Sequence, residues 1–155
     1  MYDLFNKKGV DHRDVGPAYI YYHDDGTPSF ITYSLNGMLH REGGPAVTEY
    51  RKDGSIFLEE YYINGKEHRD GDPAVIRYNF KKGIEFMAYY IDGRRHREGG
   101  PAEIFFNEDG KTPISESYYI AGRLHREDGP AEIEYYKSGR VKSKQYYKDG
   151  VKYKI

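Results

Sequence analysis

Five histidine-arginine pairs recur along the chain, at His12-Arg13, His40-Arg41, His68-Arg69, His96-Arg97 and His125-Arg126, with spacings of 28, 28, 28 and 29 residues. Histidine and arginine serve metal ligation, proton transfer and anion recognition, so this ladder is the first place to look for chemistry. Zinc holds its ligands about 2.0–2.1 Å from one centre. Equivalent residues of stacked two-stranded units stand roughly 10 Å apart, so the spacing argues against a shared metal.

Two other roles remain. In the first, the ladder is structural. Each pair is followed at once by an acid (Asp14, Glu42, Asp70, Glu98 or Glu127), so the imidazole can bond a turn while the arginine pairs with a carboxylate of its own or the adjacent unit. In the second, the ladder is an anion-binding edge. Lys66, Arg94, Arg95 and Arg123 follow turn glycines and would sit near it, where lipid headgroups or nucleic-acid phosphates could dock. The interleaved acids count against that second role. Catalysis needs different residue types converging once. Serine and threonine occupy variable positions, and His23 is the one histidine outside the ladder with no cluster around it. The sequence therefore predicts no enzyme and no cofactor.

The elements that carry the ladder are themselves periodic. Five residues after each histidine comes Pro-Ala, at Pro17-Ala18, Pro45-Ala46, Pro73-Ala74, Pro101-Ala102 and Pro130-Ala131. A glycine precedes each histidine by three residues, and another follows it by 14 or 15. Each unit of about 28 residues therefore has two turns. Between them lies an Ala-x-Ile-x-Tyr segment, clearest at Ala74, Ile76 and Tyr78, whose period of two marks a half-buried strand. A second segment ends in Tyr-Tyr-Ile-x-Gly, as at residues 61–65, 89–93 and 118–122. Asn-Gly and Asp-Gly there signal tight turns, because both residues tolerate positive φ. The unit reads as a β-hairpin, and since a lone hairpin is marginal in water, the units must stack. Repeats start near residues 12, 40, 68, 96 and 125, after a partial unit over 1–11 and before a lysine-rich cap from about 141, within one domain.

Composition agrees with a thin sheet. Hydrophobic residues are 37% of the 155, and 18 residues are tyrosine, which leaves little aliphatic side chain for a thick core. Lysine and arginine total 24 against 25 acids, so no overall field draws the chain to nucleic acid. The absence of cysteine and of an apolar N-terminal run fits a cytoplasmic protein.

Along each pair, one tyrosine should face either side of the sheet, giving one row of Tyr61, Tyr89, Tyr118 and Tyr146 and another of Tyr62, Tyr90, Tyr119 and Tyr147. Rings in rows are sheet packing, but they are also good binding anchors. The positions that change from unit to unit, Tyr19, Tyr21, Arg77, Phe105 and Glu134, join Tyr62, Tyr90, Tyr119 and Tyr147 as the candidate binding surface.

The stretch Tyr-Tyr-Ile-Asn-Gly-Lys-Glu-His-Arg, residues 61–69, resembles the MORN repeat, and most nearly its variant, YwqK-type form and the His-Arg-x-x-Gly-Pro-Ala repeats of large viruses and phages. The unit is longer than the usual MORN repeat, and arginine stands where glycine follows the histidine. The resemblance implies an elongated, twisted, single-layer antiparallel sheet of tandem hairpins serving as a protein-binding scaffold. It also implies two alternatives: an antitoxin, immunity or counter-defence inhibitor of one enzyme, or a phospholipid-binding protein. A protein partner is expected, with self-association through open sheet edges as a further possibility.

Overall fold

The computed structural model describes residues 16–154. Among them every regular element is a strand. The first unit contributes β1 (Tyr19–Tyr22) and β2 (Pro28–Thr32), then the short strands β3 (Ser34–Leu35) and β4 (Met38–Leu39). The pattern repeats with β5 (Val47–Tyr50), β6 (Ile56–Glu60), β7 (Tyr62–Ile63) and β8 (Lys66–Glu67), and with β9 (Val75–Tyr78), β10 (Ile84–Ala88), β11 (Tyr90–Ile91) and β12 (Arg94–Arg95). It continues through β13 (Glu103–Phe106), β14 (Pro113–Ser117), β15 (Tyr119–Ile120) and β16 (Arg123–Leu124), and ends in β17 (Glu132–Tyr135), β18 (Val141–Lys148) and β19 (Val151–Tyr153).

The longer strands form one open antiparallel sheet in the order β1-β2-β5-β6-β9-β10-β13-β14-β17-β18-β19. It is a single twisted layer of consecutive hairpins, as the alternation of the Ala-x-Ile-x-Tyr segments requires. In every long hairpin the second strand carries one unpaired residue near the tip. Tyr50 faces Ile56 while Glu49 faces Leu58, so Phe57 is left over; Ser29, Glu85, Ile114 and Lys142 occupy the same place. One extra residue on one strand is a β-bulge, which bends the strand and raises its twist.

The unit holds more than the single hairpin its sequence predicts. The second segment leaves the main sheet at its first tyrosine (Tyr33, Tyr61, Tyr89 or Tyr118) and continues into a separate two-stranded hairpin. Its turn has both central residues at positive φ, as at Asn64 (50°) and Gly65 (77°), the geometry that Asn-Gly and Asp-Gly favour. These small hairpins form a second column: Gly65 N–H donates to Leu39 O (2.8 Å), Gly93 to Glu67 O (2.9 Å), Gly122 to Arg95 O (2.8 Å) and Gly150 to Leu124 O (2.8 Å). Only in the last unit does β18 run unbroken through Tyr146 and Tyr147 into its turn.

The core is as thin as the composition implies. Ala18, Ala46, Ala74, Ala102 and Ala131 are fully buried, Ile76, Ile104 and Ile133 nearly so, and among the described residues no large side chain is completely enclosed.

Candidate functional site

Register fixes which residues share a face. One row across the sheet holds Ile31, Thr48, Glu59, Ile76, Met87 and Ile104, continuing to Glu116 and Ile133. With the buried alanines and Tyr50, Tyr78 and Tyr135 two residues away along the first strands, this face carries the Ala-x-Ile-x-Tyr positions the units share, while its second-strand positions, Ile31, Glu59, Met87 and Glu116, differ between units. It is tied by Tyr78 Oη donating to Glu59 Oε2 (2.8 Å) and, two units on, Tyr135 Oη donating to Glu116 Oε2 (2.8 Å). Burial and the carboxylate it donates to push the Tyr135 hydroxyl up to about 12.

The ladder arginines clamp that frame. Arg41 stacks on the Tyr33 ring at 3.7 Å, and Arg69, Arg97 and Arg126 stack on Tyr61, Tyr89 and Tyr118 at 3.9 Å each. Each also donates through Nη1 to the carbonyl of the proline four residues on: Pro45 (3.1 Å), Pro73 (3.3 Å), Pro101 (3.1 Å) and Pro130 (3.3 Å). This corrects the expected pairing with carboxylates. Among the described ladder arginines only Arg69 reaches one, Asp72, at 3.3 Å. A planar cation satisfies a ring face and a carbonyl together, which a carboxylate pair in water does not improve on. The expected tyrosine row is likewise an alternation: Tyr61 lies in the fields of Arg69 and Arg41, and Tyr118 in those of Arg126 and Arg97.

The histidines do bond turns, and each turn is that of the next small hairpin, 24 or 25 residues on. His40 Nδ1 accepts the Asn64 N–H (3.1 Å), His68 that of Asp92 (3.2 Å), His96 that of Ala121 (3.1 Å) and His125 that of Asp149 (3.1 Å). Nδ1 of His68 and His125 also lies 3.2 and 3.0 Å from Asp92 Oδ1 and Asp149 Oδ1, and Nε2 faces Asp70 Oδ1 (3.3 Å) in His68 and Glu127 Oε1 (3.2 Å) in His125. His12 and Arg13 lie outside the described residues. His23 is bonded too, to Tyr50 O at 3.2 Å. Among the described residues no three histidines or acids are grouped to hold a metal ion.

The opposite face gathers the first-strand positions that differ between units. Pairing aligns Tyr21, Phe30, Glu49, Leu58, Arg77 and Phe86, then Phe105, Ser115, Glu134 and Ser143, in one row. Four of the candidate residues, Tyr21, Arg77, Phe105 and Glu134, thus fall on a single line. Tyr19 lies one row away, opposite Thr32. Phe86 and Phe105 pack at 4.6 Å, Arg77 covers Phe86 at 5.3 Å and pairs with Glu85 at 2.9 Å, and Glu134 pairs with Lys142 at 3.1 Å.

Tyr62, Tyr90, Tyr119 and Tyr147 form the neighbouring column on this same face. Arg95 lies over the Tyr90 and Tyr119 rings at 5.8 and 5.4 Å and pairs with Glu103 at 2.8 Å. One unit earlier Glu67 stands in place of Arg95. Burial, Glu67 and Glu49 then hold the Glu60 carboxyl above its usual range. Burial followed by Glu60 raises the Tyr62 hydroxyl.

Sequence reasoning did not find Phe30, Phe57, Phe80 and Arg51. Phe80 is 90% exposed at a hairpin tip, and Arg51 lies between Phe80 (4.9 Å) and Phe57 (5.0 Å). The available signal was departure from the repeat, since the tip position of Phe80 is Asp24, Lys52, Glu108 or Lys137 elsewhere. No protein-family model and no curated protein matches this chain.

Proposed function

We propose that the protein is a non-catalytic binding module that engages another protein through the face carrying Tyr21, Arg77, Phe105, Glu134 and the Tyr62-to-Tyr147 column. The observation behind this reading is the division of labour between faces. Shared alanine, isoleucine and tyrosine residues of the first strands and the ladder arginines build one side, while the first-strand positions that vary from unit to unit, Tyr21, Glu49, Arg77, Phe105 and Glu134, stand in register on the other. A rigid frame presenting variable side chains is how repeat proteins make extended interaction surfaces. Inhibition of a single enzyme is the same binding mode with a particular partner.

Affinity capture from a lysate of the native host, nuclease-treated and read by mass spectrometry, tests the proposal. One stoichiometric partner is expected, lost on Arg77→Glu with Phe105→Ser and retained on changing exposed residues elsewhere. Capture unaffected by those substitutions would refute the use of this face. The partner's own activity separates scaffold from inhibitor.

A second reading, anion binding, rests on Lys66, Arg94 and Arg123. They are exposed at matching places of successive small hairpins, where Gly93 abuts Lys66 and Gly122 abuts Arg94. It predicts sedimentation with phosphatidylserine vesicles that salt reverses and that Arg94→Glu with Arg123→Glu abolishes. The engagement of the ladder arginines with rings and carbonyls favours the protein-binding reading.

A further inference from the structure

The variable face is not uniform along its length. Toward the N-terminal end it opens into a groove of about 580 Å³ bounded by Tyr21, Phe30, Phe57 and Phe80, with Glu49 also in its lining. Tyr21 and Phe30 lie 6.0 Å apart, and Tyr21 is 44% exposed. Such rings offer their negative faces to a cation. The groove already accommodates one: the Arg51 guanidinium lies between Phe57 and Phe80. Its donors are committed, Nη1 to Ile56 O at 2.7 Å and Nη2 to Tyr78 O. Arg51 is thus part of the wall.

Glu49 is the unmatched charge. Of the three charged residues in its row, Arg77 is paired with Glu85 and Glu134 with Lys142. Glu49 has no ion pair among the described residues, and the residues facing it across the strands are Phe30 and Leu58. Its diagonal neighbour on the same face is Glu60, about 7–8 Å away by strand geometry. Their mutual repulsion is one cause of the raised Glu60 carboxyl. A half-buried carboxylate flanked by rings and by a second carboxylate is complementary to a cation with an apolar stem.

We propose that this groove takes an arginine or lysine side chain of an extended partner segment, with the stem against Tyr21 and Phe30 and the charged head on Glu49. The inference rests on the protein-binding reading and names the partner's chemistry at one site. Arginine is the better occupant, because its planar head stacks on rings and forks onto carboxylate oxygens.

The test is a titration of the ¹⁵N-labelled full chain with the peptide acetyl-Gly-Leu-Arg-Leu-Gly-amide, beside its isostere carrying citrulline in place of arginine. The arginine peptide should shift the amides of Tyr21, Phe30 and Glu49 in a saturable, salt-sensitive way, and the citrulline peptide should bind about tenfold more weakly, the worth of one hydrogen-bonded ion pair. Glu49→Gln should erase that difference while leaving the dispersed spectrum intact, and Tyr21→Ser should weaken both peptides. Equal binding of the arginine and citrulline peptides, shifts centred elsewhere, or no shifts would overturn the inference. The wider reading is judged apart from it: capture of the native partner that depends on Arg77 and Phe105 but not on Glu49 keeps the binding face and removes the cation groove.

Discussion

Replacing Arg97 should test whether the ladder is a structural clamp. Its guanidinium has the Tyr89 ring at 3.9 Å on one side and the Pro101 carbonyl 3.1 Å from Nη1. A Cβ built on Gly100 would stand 3.1 Å from Cζ, so the half-buried group also packs against that glycine. The ring contact contributes about 1 kcal/mol and the charged hydrogen bond about 1.5–3 kcal/mol. Arg97→Met should therefore cost about 2–4 kcal/mol, and Arg97→Lys about half of that, because an ammonium keeps the charge but not the plane. In a double-mutant cycle with Tyr89→Leu, the ring contact should appear as a coupling of about 1 kcal/mol. Urea unfolding followed by far-UV circular dichroism measures all four states, with an unchanged slope required for the comparison. A coupling below about 0.3 kcal/mol, or an Arg97→Met cost within the roughly 0.5 kcal/mol of an ordinary surface change, would refute the clamp.

Ala121 sits at φ 49° in a turn where other units place Asn or Asp, so Ala121→Asn should stabilise the chain by about 0.5–1 kcal/mol in the same unfolding assay. Gly110→Ala should be far worse than Gly54→Ala. Both have positive φ, but a Cβ at Gly110 would stand 2.6 Å from Gly83 Cα, whereas nothing lies within 4 Å of Gly54; melting temperatures of the two variants decide it. For Glu60, whose folded-state pKa is raised above 4.5 by burial, Glu67 and Glu49, the protonated form is favoured on folding. Its contribution is therefore fully present below the unfolded value and is lost as pH rises through the folded one. The stability difference between Glu60→Gln and the parent should grow as pH rises from about 4 to 7, and a difference independent of pH would show that Glu60 is solvated.

Much of this architecture is legible in the chain itself. A period of about 28 residues, Ala-x-Ile-x-Tyr alternation and Asn-Gly or Asp-Gly turns are local signals, and alternation alone assigns Ala74, Ile76 and Tyr78 to one face. Low aliphatic content likewise determines that the sheet is thin, since burial cannot exceed the apolar surface available. What lay beyond the sequence depends on register and on contacts between units. The break at Tyr61 follows from two sets of backbone bonds, Tyr61 N–H to Ala74 O and His68 N–H to Tyr61 O, which no single strand shows. Whether Arg97 meets an acid or a ring depends on where the chain folds back: it lies on the Tyr89 ring and donates to the Pro101 carbonyl, and the neighbouring Glu98 is not its partner. The line joining Tyr21, Arg77, Phe105 and Glu134 exists only once nine strands are in register, because a slip of one residue would turn each side chain to the other face. Tertiary structure alone sets Phe80 and Phe57 around Arg51 and leaves Glu49 facing rings, since those residues come from three different units.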